Sequence, residues 1–189
     1  HKGWLVMELC GLGSVKSCMR NFQRLPPERL LRIANDIACG VSYLHDPSIS
    51  IIHGDLKLDN VLLRDDGSAV LCDFGMSEAK NRSQTMTRAV PENTKVTMQW
   101  TAPELFQGQQ KTVSSDIYAL GVTLFELFED REPFEGFSDA LVMHNVINGA
   151  RPTLTHTPVE IQNLITAAWD QSPKLRPSAA QIACLLAKC

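Results

Sequence analysis

Two short apolar runs, Val61-Leu62-Leu63 and Ala69-Val70-Leu71-Cys72, lie on either side of Asp66-Gly67. Asp-Gly between apolar runs signals a tight turn, because glycine readily takes the positive φ that hairpin turns need. The pattern predicts a β-hairpin, and that hairpin constrains what flanks it. Asp55-Leu56-Lys57-Leu58-Asp59-Asn60 stands just before it and Asp73-Phe74-Gly75 just after it. Closing the hairpin brings Asp55, Lys57, Asn60 and Asp73 to one end. Two carboxylates, an amide and an ammonium at one spot can hold a divalent cation and the phosphates of a nucleotide.

A chain of 189 residues, 44% of them hydrophobic, suffices for one domain with a substantial core. The formal net charge of −3 gives no sign of a nucleic-acid-binding surface. No apolar run is long enough to span a bilayer, so no membrane contact by this segment is expected. Six scattered cysteines without a C-x-x-C pair fit reduced thiols in a cytoplasmic domain better than a disulfide or zinc framework. The chain opens on His1 without a signal-peptide pattern, so a preceding segment is expected.

Along the chain, Trp4-Leu5-Val6-Met7 reads as a strand broken by Gly11-Leu12-Gly13. Pro26-Pro27 opens a helix with an apolar stripe of Leu30, Ala34, Ile37, Val41 and Leu44. Ser114-Ser115-Asp116 is read as the cap of a second helix. Ile117, Leu120, Val122, Leu124, Phe125 and Leu127 make that helix apolar around most of its circumference, which predicts burial. A third helix runs from Ser138-Asp139 to near Gly149. Thr157-Pro158-Val159-Glu160 and Ser178-Ala179-Ala180-Gln181 read as capping boxes of two more, the last carrying Ile182, Leu185 and Leu186.

His53-Gly54-Asp55-Leu56-Lys57-Leu58-Asp59-Asn60 resembles the catalytic loop of protein kinases, Asp73-Phe74-Gly75 their metal-binding triplet, and Ala102-Pro103-Glu104 the end of their activation segment. The three strings stand in the family's order and spacing, and the resemblance runs from about Trp4 to Leu186. It implies an α+β protein-kinase-like fold: a mostly helical large lobe with short β-hairpins over residues 13–189, preceded by the last small-lobe strand and hinge over residues 1–12. It implies ATP and Mg²⁺ as cofactors and a protein as substrate. Asp55 would be the catalytic base and Lys57 would contact the γ-phosphate. Asn60 and Asp73 would be the metal ligands. Glu8, Cys10 and Leu62 would line the nucleotide site, with Met7 guarding its back. His53 and Phe74 would pack together beneath it, Asp116 would tie down the catalytic loop, and Arg176 would pair with Glu104.

Lys57 points to Ser/Thr transfer, whereas Gln99-Trp100-Thr101-Ala102-Pro103-Glu104 resembles the substrate loop of tyrosine kinases. That mixture resembles the tyrosine kinase-like group of Ser/Thr kinases; tyrosine or dual specificity is the alternative. Gly54 stands where many relatives carry an Arg that receives an activation-segment phosphate, so that clamp is not expected here. Ser83, Thr85, Thr87, Thr94 and Thr97 are candidate phosphosites, most of them expected to be merely solvated. The small lobe is nearly absent, without room for a Gly-rich loop or strand lysine, so these residues alone are expected to be inactive. A pseudokinase or scaffold module is the competing reading. A small-molecule phosphotransferase is disfavoured by Ala102-Pro103-Glu104.

Overall fold

A computed structural model of the chain describes residues 7–21, 25–74, 77–79 and 97–189. Within them the chain forms α1 (Val15–Asn21), α2 (Pro27–His45), β1 (Ile51–Ile52), β2 (Val61–Leu63), β3 (Ala69–Leu71) and β4 (Glu78–Ala79). Then follow α3 (Pro103–Phe106), α4 (Val113–Glu129), α5 (Asp139–Ile147), α6 (Val159–Ala168) and α7 (Ala179–Leu186). Single 3-10 turns cover Leu58–Asn60 and Met98–Trp100. Most of the expected strand at Trp4-Leu5-Val6-Met7 lies outside the described residues, as do Gly75, Ser83, Thr85, Thr87 and Thr94. Among the described residues no helix is long and apolar enough to cross a membrane, and all six cysteines are free thiols.

The framework is helical because the helical stripes supply most of the core. Pro26 and Pro27 set the entry to α2, and Leu30, Ala34, Ile37, Val41 and Leu44 are all buried along it. Each buried leucine or isoleucine contributes about 1.5–3 kcal/mol by leaving water. Helix α4 is buried on every side, including Tyr118 and Phe125 at full burial. It crosses α6 at Gly121, where an added Cβ would come within 2.9 Å of the Ala168 Cβ. Only glycine permits that approach.

Two expectations about helix ends need correction. The cap of α4 is Thr112, not Ser114-Ser115-Asp116. Thr112 Oγ1 accepts from Ser115 N at 3.2 Å, and Ser115 Oγ accepts in return from Thr112 N at 2.9 Å. Asp116 is thereby released to face the body of the fold. Thr157 does not cap α6: Pro158 holds the cap position with no side-chain bond, and the Thr157 hydroxyl donates to Glu129 at 2.6 Å. On α7, Ala179, Ile182 and Leu186 form the buried face, while Leu185 is 49% exposed. The cap of α5 at Ser138 and the capping box at Ser178 and Gln181 form as the sequence predicts.

The strands are short and serve placement. β2 and β3 pair antiparallel in the register Val61↔Leu71, Leu62↔Val70 and Leu63↔Ala69, with Gly67 at φ +80° in the turn. β1 and β4 pair Ile51↔Ala79 and Ile52↔Glu78. Arg176 reaches both oxygens of Glu104 at 2.6 and 2.8 Å, and both residues are buried.

Candidate active site

The site is built on one loop and one hairpin. From Asp55 to Asn60 the loop alternates: Leu56 and Leu58 are buried at 1% and 0% exposure, while Asp55 and Lys57 lie on the accessible side. The apolar pair nails the loop to the core and turns the two charged side chains the same way. Lys57 Nζ lies 2.8 Å from Asp55 Oδ2. Asn60 Nδ2 donates to the same Oδ2 at 2.9 Å and to the Asp55 carbonyl at 2.8 Å. Asp55, Lys57 and Asn60 are therefore one hydrogen-bonded group.

The hairpin brings the second string alongside. Beyond the Val61↔Leu71 pair, Cys72 N donates to the Asn60 carbonyl at 3.0 Å, which sets Asp73 beside the loop. Asp73 is solvent-accessible and has a left-handed backbone, φ +60°, a conformation that Asp tolerates better than most residues. His53 lies beneath both strings. Its Nε2 bonds the Cys72 carbonyl at 3.1 Å and its Nδ1 bonds Asp55 N at 3.3 Å. A carbonyl only accepts and an amide N–H only donates, so the ring is the neutral Nε2–H tautomer. Burial accordingly pushes the His53 pKa down, against the charges of Asp116, Asp55 and Asp73. The His53 and Phe74 rings pack at 5.2 Å.

Asp116, in the first turn of α4, holds the loop from below. Its carboxylate accepts from His53 N at 2.7 Å and Gly54 N at 2.9 Å, and it contacts His45 Nε2 at 2.9 Å. Gly54 sits at φ +78°, a backbone that glycine adopts without cost. Lys111 Nζ donates to the Gly54 carbonyl at 3.0 Å.

In the sequence Thr97 is one hydroxyl among several in a Ser/Thr-rich segment. Its Oγ1 accepts from Lys57 Nζ at 2.9 Å and donates to Asp55 Oδ1 at 3.2 Å. Its spacing before Ala102-Pro103-Glu104 was the one available signal. Glu126 and Lys16 buttress the loop from the far side; their one signal in the sequence is that a lone acid in a buried apolar helix demands a partner.

The residues expected on the nucleotide side are more scattered. The Glu8 carboxylate is bound by Arg64 at 2.7 and 3.0 Å, so its side chain is committed to that exposed pair. Cys10 is half-buried and its carbonyl accepts from Gly13 N at 3.2 Å. Leu62 is half-buried in β2 and bridges Ser14. Met7 is 60% exposed.

Among the described residues no group of three or more His, Cys, Asp or Glu could by itself hold a metal ion. Asn60 makes both its side-chain bonds through the amide nitrogen, and Asp73 adds a carboxylate. One amide oxygen and one carboxylate suit a hard cation that draws its remaining ligands from phosphate and water.

On a body of buried helices, one hairpin thus sets the two polar strings side by side. Residues 1–186 match the family model described as protein tyrosine and serine/threonine kinase. The chain belongs to that protein kinase family. It is 36% identical over 185 residues, 97% of its length, to a Dictyostelium discoideum protein named "Probable LIM domain-containing serine/threonine-protein kinase", of which it covers 27%. It is 33% identical over 158 residues, 82% of its length, to the "Dual specificity protein kinase shkA" of the same organism, of which it covers 30%. The chain spans 10%, 27% and 18% of the length of three curated relatives it matches.

Proposed function

We propose that the protein carrying this chain transfers the γ-phosphate of ATP to Ser or Thr hydroxyls of protein substrates. The observation that carries the reading is the Asp55–Lys57–Asn60 group, with Oδ2 of Asp55 held at 2.8 and 2.9 Å by the other two side chains. In this reading Asp55 accepts the proton of the attacking hydroxyl. Lys57 steadies the charge on the transferred phosphoryl. Asn60 and Asp73 hold Mg²⁺, which when bound neutralises the phosphates and orients them. In the same reading Leu62 and the Glu8–Cys10 segment would lie against the adenine ring, and residues 13–189 would be the large lobe. Membership of the tyrosine kinase-like group, suggested by Lys57 together with Gln99–Glu104, belongs to the same proposal. Thr97 supports Ser/Thr acceptors, because its hydroxyl joins the base and the lysine at the place where an acceptor would enter.

The test is phosphate transfer from labelled ATP by the full-length protein to a peptide array with Ser, Thr and Tyr acceptors. Asp55→Asn is expected to lower kcat by about 10²–10⁴-fold, the range for losing a general base. Tyr-only labelling would overturn the acceptor class. Nucleotide binding without turnover in the unmutated protein would favour the scaffold reading that Gly54 suggests.

A further inference from the structure

Helix α4 carries a second buried acid, Glu126, ten residues after Asp116 and on the far side of the catalytic loop. Its Oε1 is ion-paired with Lys16 Nζ from α1, and its Oε2 accepts from Leu58 N at 3.3 Å. Lys16 also lies 3.2 Å from Glu132. Glu126 is 1% exposed and Lys16 9%. Burial pushes the Glu126 carboxyl up, and the Lys16 ammonium beside it draws it back toward the charged form.

The position of Leu58 gives this contact its meaning. Asp116 binds the amides of His53 and Gly54, and Glu126 binds the amide of Leu58. Asp55 and Lys57 lie between these two holds, and the turn bearing Asn60 begins at Leu58. The loop is thus strapped to one rigid helix at both ends of its polar stretch. Leu58 is fully buried, so no water is at hand to replace a lost acceptor for its N–H.

We infer that Glu126 is a positioning residue for phosphoryl transfer: it anchors the Leu58 end of the catalytic loop to α4, with Lys16 as the counter-ion that keeps that anchor charged. Glu126 touches neither phosphate nor acceptor; it acts through the placement of Lys57 and Asn60. The inference rests on the proposed function for its kinetic consequence and on geometry alone for the anchor.

The test separates the two. In the full-length protein, single-residue hydrogen exchange measures the Leu58 amide. The unmutated protein is expected to protect it as strongly as the amides of His53 and Gly54; exchange at the rate of an open loop amide would overturn the anchor. Two double variants remove the buried charge pair together. Glu126→Gln with Lys16→Met keeps an acceptor for Leu58, and Glu126→Leu with Lys16→Met does not. The first is expected to keep Leu58 protected and kcat within about threefold of the unmutated protein. The second is expected to lose at least about tenfold in Leu58 protection and in kcat, with the KM for ATP changed less than about twofold. Equal exchange and equal kcat in the two would overturn the positioning role. An unmutated protein that transfers no phosphate refutes the proposed function, and Leu58 exchange still decides the anchor.

Discussion

Arg176 grips both carboxylate oxygens of Glu104, at 2.6 and 2.8 Å, in a part of the fold where both residues are buried. The guanidinium also donates to the carbonyls of Asp170 and Ser114 and lies 5.1 Å from the Tyr118 ring. It therefore ties the segment ending in Ala102-Pro103-Glu104 to both α4 and the approach to α7. Arg176→Ala should lower unfolding stability by about 3–5 kcal/mol, because Glu104 is left buried and unpaired. Chemical denaturation checks this, and Arg176→Met combined with Glu104→Leu should recover most of the loss.

At Gly54 the prediction concerns the backbone. With φ at +78°, Gly54→Ala should cost about 1 kcal/mol, and Gly54→Asn less, since Asn visits the left-handed region more easily. Equal melting temperatures for Ala and Asn would show that the conformation is set by something other than glycine.

Thr97 offers a kinetic prediction. Its hydroxyl joins Lys57 and Asp55, and hydrogen bonds to charged groups contribute about 1.5–3 kcal/mol. Thr97→Val should reduce kcat by about 10- to 100-fold, and Thr97→Ser should restore most of it. Assays of the full-length protein with one Ser/Thr peptide compare the two.

Glu129 gives a pH prediction. Burial opposes its charge, yet hydrogen bonds from Thr155, Thr157 and His156 outweigh burial and bring its pKa down from 4.5 to about 2. A carboxyl depressed on folding stabilises the fold above its unfolded pKa and loses that contribution as pH falls through the folded one. The unmutated protein should therefore exceed Glu129→Gln by roughly 3 kcal/mol above pH ~5, the gap closing between pH ~4.5 and ~2. A gap independent of pH would show that the carboxylate's charge is not what the threonines hold.

Much of this architecture was legible in the sequence, for identifiable reasons. The stripe of α2 and the hairpin around Gly67 follow from periodicity and turn chemistry, both local. Asp55, Lys57 and Asn60 could be read together because they sit within one short string. The failures were non-local. Thr112 and Ser114-Ser115-Asp116 offer similar caps in isolation, and the choice falls to Thr112 because Asp116 bonds the amides of His53 and Gly54. Thr157 looked like a cap until Glu129, 28 residues away, took its hydroxyl. Thr97 carried no periodic signal at all.

The strapping of the loop to α4 bears on how such a protein would respond to heat. A catalytic segment resting on a peripheral loop could soften early and leave a folded but idle molecule. Here Asp116 fastens it to the most deeply enclosed helix, so thermal inactivation and the collapse of the helical body should trace a single curve.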